Sequence, residues 1–519
     1  MAPIMHTGVT MNQRFGSPLA RNAPWDPIVL TVVGGIIRAF FFFISDNAGG
    51  DAIARAASTQ NWMNHHSLFS GSRVWLPPYF WISGPMGHLA GAELGTRLLS
   101  LLSGTLTIYV VYKLTERLAG PAAAGISALV CVLSGLHIGY STTSSSEALF
   151  VLFLLTGIWL LFEFQASNRW SQLVLGSLAI TVSCGIRYEA WVFLPLLGVI
   201  FVNAYGGEAH RRARFLKRGE AFLVYALLAG AWPIFWMLFC WVKFDKPLYI
   251  VSQLHSEIPI QLALFGRSRL YSGLLPVGVL LLALSPIPAI GAAYSAIRCW
   301  GQKAVGQFLL VAIGFGLFQE IEFVRGGGVA LARYMLTCVV LGAVLSGIGI
   351  VKLAEISCGA SITRIHKWVA LSLVSTLFCI LVFSETSLPF SEKFASVSPR
   401  LRYPRDISKL GKYLGPRLQP GDALIVDDYH WDGNIVEHAL GLPLLDRSSV
   451  FRASFDNTDG LENFIRDKHP RYLVYAVNGN FQSYWGFSSS CPYMHQSRGL
   501  ILKCVFSNQT YRGYELQYP

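Results

Sequence analysis

Apolar segments close to twenty residues long recur along most of this chain, and they limit its fold more than any other feature. A run of about 20 apolar residues crosses the hydrocarbon core of a bilayer as one α-helix. The composition agrees, because 53% of the 519 residues are hydrophobic and 13% are charged, whereas a soluble domain has about 25% charged residues. We expect eleven spans, at residues 27–45, 94–113, 119–139, 147–165, 171–186, 190–205, 221–242, 273–297, 304–320, 334–353 and 368–384.

Basic residues in the connections predict the orientation, since Lys and Arg concentrate in cytoplasmic loops. With a cytoplasmic N-terminus, every second connection is cytoplasmic, and each of these holds Lys or Arg, most densely at 211–218. The net charge of +12 therefore belongs to loops at the membrane and does not indicate a nucleic-acid partner. The outer connections hold most of the acids near span ends; they are 46–93, 140–146, 187–189, 243–272 and 321–333.

The chain divides into a cytoplasmic N-terminus (1–26), a membrane domain (27–384) whose outer loop 46–93 carries the candidate site, and a tail (385–519) on the outer side. Helix-like and strand-like patterns alternate in the tail, which indicates an α/β layer domain. We therefore predict a mainly α protein: a polytopic transmembrane helical bundle of about eleven spans with a C-terminal extracytoplasmic α/β domain. The patterns in the tail lie at 403–415, 423–426, 432–440, 461–469 and 471–477.

Cysteine usage and the first residues bear on the compartment. Cys491 and Cys504 are the only cysteines in the polar tail, and we expect a disulfide between them if the tail lies in an oxidising compartment. The first residues are polar and the first apolar run is long enough to span, so no cleavable signal peptide is expected. Both features favour a bacterial inner (plasma) membrane, with the site and the tail on the extracytoplasmic side.

Charged residues collect on the outer side of the predicted membrane domain. Asp46 and Asp51 directly follow the first span, with Gly49 and Gly50 between them. Acids at the edge of a bilayer indicate a functional site. A transporter places such groups at mid-membrane, in broken helices, whereas these lie at span ends and favour chemistry at the interface. The further candidates on this side are Arg97, Glu147, Arg187, Glu189, Arg333 and Tyr334.

Sugar transfer from a lipid phosphate is one chemistry that such a set of residues can perform. It needs a carboxylate to take the proton of the acceptor and a cation or metal to stabilise the leaving phosphate. It also needs a groove that leaves the lipid tail in the bilayer. Asp51 is suited to the first role and Arg333 to the second.

The order of these motifs resembles the GT-C membrane glycosyltransferases, in the branch of protein O-mannosyltransferases and bacterial aminoarabinose transferases (families 39 and 83). That branch has an acid after the first span that opens a pattern like D/E-x-x-Y-A-x-x-A-x-x-W. Residues 27–200 carry the resemblance well, the later spans carry it by topology, and the tail hardly at all. The matching segments are Asp51 to Trp62, Leu76 to Trp81, Leu94 to Ser100 around Arg97, Ser144 to Phe150 around Glu147, Arg187 to Trp191, and Ala332 to Tyr334.

The resemblance implies a role for each candidate. Asp51 would activate the acceptor, and Glu147 would position acceptor or donor, with a divalent metal as the one cofactor considered. Arg333 would hold the phosphate of a polyprenyl-phosphate sugar donor within the membrane lipids, with Arg97 and Arg187 as further candidates. The acceptor would be an extracytoplasmic lipid, glycan or protein, and the transfer would invert the sugar.

Structural readings stand beside these roles. Asp51 could cap a helix, Glu147 could open one, and Arg333 could extend its charge to the interface as long bases do at span ends. Arg187 and Glu189 are interpreted as a structural ion pair and Asp46 as a helix cap; Asp46, Glu189 and Tyr334 are secondary site candidates.

The sequence departs from the family in one place, and two other functions stay open. Aminoarabinose transferases have Glu-Lys-Pro where this chain has Trp75-Leu76-Pro77, so the acid that would bind a cationic sugar is missing. A transporter or flippase of a lipid-linked glycan would need its essential polar residues in mid-span, around 141–146 and 326–328. A non-catalytic scaffold would tolerate substitution of Asp51.

Overall fold

The chain is mainly helical, and helices cover most of the described parts of the predicted spans. The computed structural model describes residues 26–67, 75–205, 211–249, 252, 277–278, 280–281, 283–325, 332–358, 403–419, 421–427, 433–442, 450–453, 460–477, 494–497 and 499–518. The helices before the tail are α1 (Pro27–Ile44), α2 (Gly50–His65), α3 (Pro78–Ala90), α4 (Ala92–Ala119), α5 (Pro121–Leu133), α6 (Gly135–Tyr140), α7 (Glu147–Ser167), α8 (Trp170–Ile186), α9 (Glu189–Leu197), a 3-10 turn (Gly198–Asn203), α10 (Arg211–Ala229), α11 (Ala231–Phe244), α12 (Pro286–Arg298), α13 (Lys303–Arg325) and α14 (Ala332–Cys358).

Several of these helices are long and apolar enough to cross a membrane. By length and composition they are α1, α4, α7, α13 and α14, and a sixth span results if α10 and α11, bent by 47°, are counted as one. Shorter apolar helices occur at α5, α8 and α9. The predicted span at 368–384 lies outside the described residues, so the count of eleven stays a prediction, while an integral membrane protein is supported.

Helix α1 shows how the sequence fixes one end of a span. Asp26 caps it by accepting hydrogen bonds from the backbone N–H groups of Ile28 (2.7 Å) and Val29 (3.4 Å), and Pro27 fits the first turn because its missing N–H would be unpaired there. Only 22% of the apolar window of α1 is buried, against 89% in α14. Helix α14 is therefore central in the bundle and α1 is peripheral, with an apolar face free for lipid.

Between α1 and α4, the outer loop folds into two helices. Helix α2 begins directly after Gly49 and carries Asp51 in its first turn. Residues 77–91 combine aromatic residues with Gly, Pro and His, which predicts a helix lying in the membrane interface. Helix α3 covers this stretch and has Pro85 inside its 13 residues, too few to span a bilayer. It packs against α4, where a Cβ on Gly95 would lie 2.4 Å from the carbonyl oxygen of Met86. Its location in the membrane interface stays a prediction.

The tail contains a six-stranded mixed sheet with the strand order β2-β1-β3-β6-β5-β4. Strand β1 pairs in parallel with β2 and β3, and the pairs β3–β6, β6–β5 and β5–β4 are antiparallel. Three helices and the strands β1 and β3 lie where their patterns predicted them, whereas the other four strands had no predicted pattern. The division into a separate domain and its side of the membrane stay predictions. The elements are α15 (Arg405–Leu414), a 3-10 turn (Gly415–Arg417), β1 (Leu424–Asp427), α16 (Gly433–Ala439), β2 (Val450–Ala453), α17 (Leu461–Lys468), β3 (Tyr472–Ala476), β4 (Met494–Ser497), β5 (Leu500–Ser507) and β6 (Tyr511–Gln517).

Side chains alternate across the central strands of this sheet, so each face has its own hydrophobic cluster. In β1, Leu424 and Val426 belong to one cluster and Ile425 to the other. The first cluster is covered by α15 and α16, and it also contains Ile53 of α2. Helix α2 therefore packs directly against the tail.

Candidate active site

Asp51 and Arg333 form an ion pair between α2 and α14. Both lie in the first turn of their helix, and the pair is partly accessible, with the Asp51 side chain 41% exposed. Arg333 also donates from Nη2 to the hydroxyl of Tyr334 at 3.0 Å. Two candidates that are remote in sequence are thus in direct contact.

Glu147 is the first residue of α7, and it is buried beside Arg187. Nη1 of Arg187 lies 2.5 Å from Oε1 of Glu147, and Nη2 of Arg187 lies 2.5 Å from Oε1 of Glu189. Arg187 follows α8 in extended conformation, while Glu189 opens α9. The predicted ion pair of Arg187 and Glu189 is present, and Glu147 extends it to a group of three charges.

A pocket joins the two groups of charges. Its polar wall contains Glu147, Arg187, Glu189, Arg333 and Tyr334, and its apolar wall includes Phe150 and Val151 of α7. The ring of Tyr334 lies 5.7 Å from the guanidinium carbon of Arg187 and 4.9 Å from that of Arg333. Three segments therefore meet around one small space: the start of α7, residues 187–189 and the start of α14.

Arg55 also belongs to this region, although the sequence did not single it out. It lies one turn after Asp51 on α2 and is 5% exposed. Its guanidinium carbon lies 4.6 Å from the ring of Trp75 and 5.4 Å from that of Tyr79. Burial lowers the pKa of Arg55, and the negative charge of Glu147 opposes that effect. Its position at i+4 from Asp51 is the one sequence signal that could have identified it.

Trp75 stands where the aminoarabinose transferases have an acid, and here its ring stacks on Arg55. A guanidinium over an aromatic ring is a favourable contact. The residue that departs from the family pattern, Trp75, therefore stabilises the buried cation of Arg55.

Arg97 does not line the described pocket. It donates from Nε to the carbonyl of Thr142 at 3.2 Å and from Nη2 to the carbonyls of Ser45 (3.1 Å) and Phe42. It thereby fastens the end of α1 to the segment before α7. Its predicted phosphate contact stays a prediction, and these carbonyls give it a structural role.

Asp46 differs from its interpretation as a helix cap. Helix α1 ends at Ile44 with Ser45 as its C-cap, and α2 begins after Gly49 without any side-chain cap. Oδ2 of Asp46 instead accepts from the backbone N–H of Tyr403 at 3.1 Å. The hydrogen-bond donor to this carboxylate belongs to the tail, and residue spacing could not have predicted this contact.

Within the described part of the chain, no three His, Cys, Asp or Glu side chains cluster in a way that would hold a metal ion. Asp51, Glu147 and Glu189 are each paired with an arginine. Among the described residues, these carboxylates are thus arranged as partners of arginines.

The comparisons with known sequences point to one class of enzyme. Residues 77–236 match the family model described as dolichyl-phosphate-mannose-protein mannosyltransferase. The Bacillus subtilis (strain 168) protein YkcB, provisionally named a mannosyltransferase, is 24% identical over 134 residues, which make up 26% of this chain. The match spans 18% of the length of YkcB, less than a fifth of that relative.

Two solved structures share the fold. ArnT from Cupriavidus metallidurans bound to undecaprenyl phosphate has a TM-score of 0.58 at 12% identity, over 94% of this chain and 97% of ArnT. The archaeal oligosaccharyltransferase AglB from Archaeoglobus fulgidus, in complex with an inhibitory peptide and a dolichol-phosphate, has a TM-score of 0.51 at 12% identity, over 89% of this chain and 70% of AglB. Together with the family match over residues 77–236, the shared fold confirms the resemblance to the GT-C membrane glycosyltransferases that was drawn from the sequence.

Proposed function

We propose that this protein transfers a sugar from a polyprenyl-phosphate carrier to an acceptor outside the cytoplasm, with inversion at the anomeric carbon. The observation that carries the proposal is the contact of Asp51 with Arg333 beside the pocket formed by Glu147, Arg187 and Glu189. A base and a phosphate-binding cation at one place are what such a transfer needs. The acceptor class, whether lipid, glycan or protein, stays open.

In the proposed step, a carboxylate oxygen of Asp51 takes the proton from the hydroxyl or amine of the acceptor. The acceptor atom forms a bond to the anomeric carbon while the bond from that carbon to the phosphate oxygen breaks. The electron pair stays with the polyprenyl phosphate, and Arg333 stabilises the charge that develops there. Because attack and departure occur on opposite faces of the sugar, the configuration inverts.

The ion pair between Asp51 and Arg333 links the binding of the sugar donor to the availability of Asp51 as a base. Arg333 is already paired with Asp51, and its Nε has no hydrogen-bond partner among the described residues. A donor phosphate would compete with Asp51 for the guanidinium and so release the carboxylate for the acceptor. The base would then become available mainly when donor is bound.

Glu147 and Arg187 fit a positioning role in this scheme. Both are almost fully buried, and a buried ion pair holds its geometry because removing either partner leaves an uncompensated charge. Glu147 would therefore shape the pocket and hold Arg187 near the sugar or the phosphate rather than take the acceptor proton.

The lipid carrier and the outer side of the membrane have independent support. The description of the matched family names dolichyl-phosphate-mannose. The ArnT structure contains bound undecaprenyl phosphate, and the AglB structure contains a dolichol-phosphate. Cys504 is disulfide-bonded, which favours an oxidising compartment for the tail. Its predicted partner Cys491 lies outside the described residues.

The test is sugar transfer by Asp51→Asn in membranes supplied with a radiolabelled pool of lipid-linked sugars. Loss of a general base should lower the rate by about 100-fold or more, while thermal unfolding in detergent stays close to that of the wild type. The matched control is Glu116→Gln, which removes an acid from an ion pair with Lys113 that is partly exposed at the far end of α4.

Two outcomes would contradict the proposal. If Asp51→Asn stays folded and transfers at the wild-type rate, Asp51 is not the base. If the wild type transfers no sugar from any supplied donor but moves intact lipid-linked glycan across the bilayer, the protein is a flippase.

A further inference from the structure

The tail contacts the same segment of chain that presents Asp51. Ile53, two residues after Asp51, is 4% exposed and packs in the tail's hydrophobic cluster with Ile407 and Ile435. Asp51 itself contacts Arg333 of the bundle. Helix α2 is therefore held between the membrane bundle and the tail.

Polar contacts add to this packing. Tyr403 donates its backbone N–H to Asp46 at 3.1 Å, and Nε2 of His438 lies 3.0 Å from Oε2 of Glu93. The hydroxyl of Tyr403 also contacts Nδ1 of His438. Burial raises the pKa of Tyr403, and Asp46 and Glu93 act in the same direction, so its hydroxyl stays protonated beside the His438 ring.

Glu93 continues the connection to the segment before α2. Its Oε1 accepts from Nδ2 of Asn47 at 3.2 Å. The fully buried Asn47 also bonds Ser144, through the Ser144 backbone N–H at 2.8 Å and the Ser144 hydroxyl at 3.1 Å. Asn47 has φ +53°, a left-handed conformation that Asn tolerates better than most residues. Asn47 thus connects Glu93, which contacts His438 of the tail, to the segment that precedes Glu147.

Helix α2 needs such outside support because its own start is weak. Its N-cap is Gly49, with no side-chain hydrogen bond to the first turn, which costs about a few tenths of a kcal/mol relative to Ser, Thr, Asn or Asp at this position. Glycines also leave the backbone free to turn. The direction in which Asp51 points therefore depends on contacts made by the residues around it.

We propose that the tail is a positioning element of the active site: His438, through Glu93 and Asn47, and Ile53, through the tail's hydrophobic cluster, fix the direction of Asp51. This inference rests on the proposed function, since it assigns Asp51 a reaction for which direction matters. Neither His438 nor Glu93 lines the pocket, so both act through Asp51 and not on the substrate.

The kinetic test compares His438→Ala, His438→Gln and His469→Ala. Displacing a reacting group by about 1 Å can slow a reaction by about 100-fold, so His438→Ala should lower kcat by about tenfold or more while the donor KM stays close to wild type. His438→Gln retains a donor for Glu93 and should recover most of kcat. His469→Ala is the matched control, because His469 is a tail histidine whose ring contacts Tyr518.

A double-mutant cycle separates positioning from general damage. If His438 and Glu93 act through one contact, the double variant His438→Ala/Glu93→Gln should lose little more kcat than His438→Ala alone. A wild-type kcat in folded His438→Ala overturns the inference. So does a loss of thermal stability with a raised donor KM that His438→Gln does not recover.

Hydrogen exchange gives a readout that does not need activity. In His438→Ala, the amides of residues 46–52 should exchange faster, while those of α7 and α8 keep wild-type rates. Unchanged exchange at 46–52 would overturn the positioning role. If the wild type proves unable to transfer sugar, the proposed function fails while this measurement still tests the tail contact.

Discussion

At the scale of single residues, the candidate site is electrically balanced. Burial makes a charge costly unless an opposite charge compensates it, and here three acids are matched by three bases around one pocket and the helix beside it. A donor phosphate would add negative charge to this balanced site, so it would have to compete with a carboxylate for one of the arginines. The six residues are Asp51, Glu147 and Glu189 with Arg55, Arg187 and Arg333.

Arg55 gives the residue-scale prediction. Arg55→Met should lower sugar transfer by about tenfold or more, since positioned charges of this kind contribute about 100-fold or more in other enzymes. It should also lower the melting temperature, because Glu147 loses one of its two nearby positive charges. Arg55→Lys keeps a cation over Trp75 and should lose less of both.

The measurement is transfer rate and thermal unfolding in detergent for both Arg55 variants. The control is Arg169→Met, since Arg169 is exposed at the start of α8. An Arg55→Met variant as active and as stable as the wild type would show that Arg55 has no role in the site.

Most residues of the candidate site could be predicted from the sequence, whereas several of the contacts that hold them could not. Acids at span ends indicate a site at Asp51 and Glu147, the resemblance implies phosphate-binding roles for Arg187 and Arg333, and the structure brings all four together. The contact of Asp46 with Tyr403 was missed, because it depends on how the tail docks. Burial of Arg55 was missed for a similar reason: its two rings come from a different segment.

At the scale of helices, small residues let the central helices approach closely. A Cβ on Gly349 of α14 would lie 1.8 Å from the carbonyl oxygen of Gly291 on α12, and one on Gly347 would lie 2.3 Å from the carbonyl oxygen of Ala123 on α5. Ser295 donates across the first crossing to the carbonyl of Leu345 at 2.7 Å. Such contacts are the usual way in which helices associate in lipid.

Gly349→Ala is therefore the element-scale prediction. The added methyl group would clash with backbone, and overpacking of this kind destabilises by about 1–3 kcal/mol. We expect a lower melting temperature in detergent and a smaller folded fraction on size-exclusion chromatography. Gly316→Ala in α13 is the control, because nothing lies within 4 Å of its added Cβ. Equal behaviour of the two variants would contradict close packing at this crossing.

Several predicted spans are interrupted in the structure, and two of them illustrate this. The segment 119–139 breaks at Ser134 into α5 and α6, where Arg38 of α1 donates to the carbonyls of Cys131 (3.0 Å) and Val132 (3.4 Å). The segment 221–242 bends by 47° at Gly230, between α10 and α11. Hydropathy predicted the apolar lengths, but a break that depends on an arginine from another helix leaves no local pattern.

At the scale of the whole molecule, bundle and tail act together on α2. The bundle holds the side chain of Asp51 through Arg333, and the tail holds Ile53 and the segment before α2. This arrangement requires the tail to lie on the same side of the membrane as the site. The orientation of the whole chain is therefore part of the proposed mechanism.

The last prediction tests that orientation by labelling introduced cysteines in intact cells. Lys468→Cys is on an exposed part of α17 and Arg212→Cys is exposed at the start of α10, within the basic cluster that predicts a cytoplasmic location. A maleimide that cannot cross membranes should label Lys468→Cys in intact cells, but label Arg212→Cys only after permeabilisation. Labelling is measured above the wild-type background, because the native chain has nine cysteines. The reverse pattern would put the tail in the cytoplasm, and both the site and its tail contacts would then face the cytoplasmic pool of donors and acceptors.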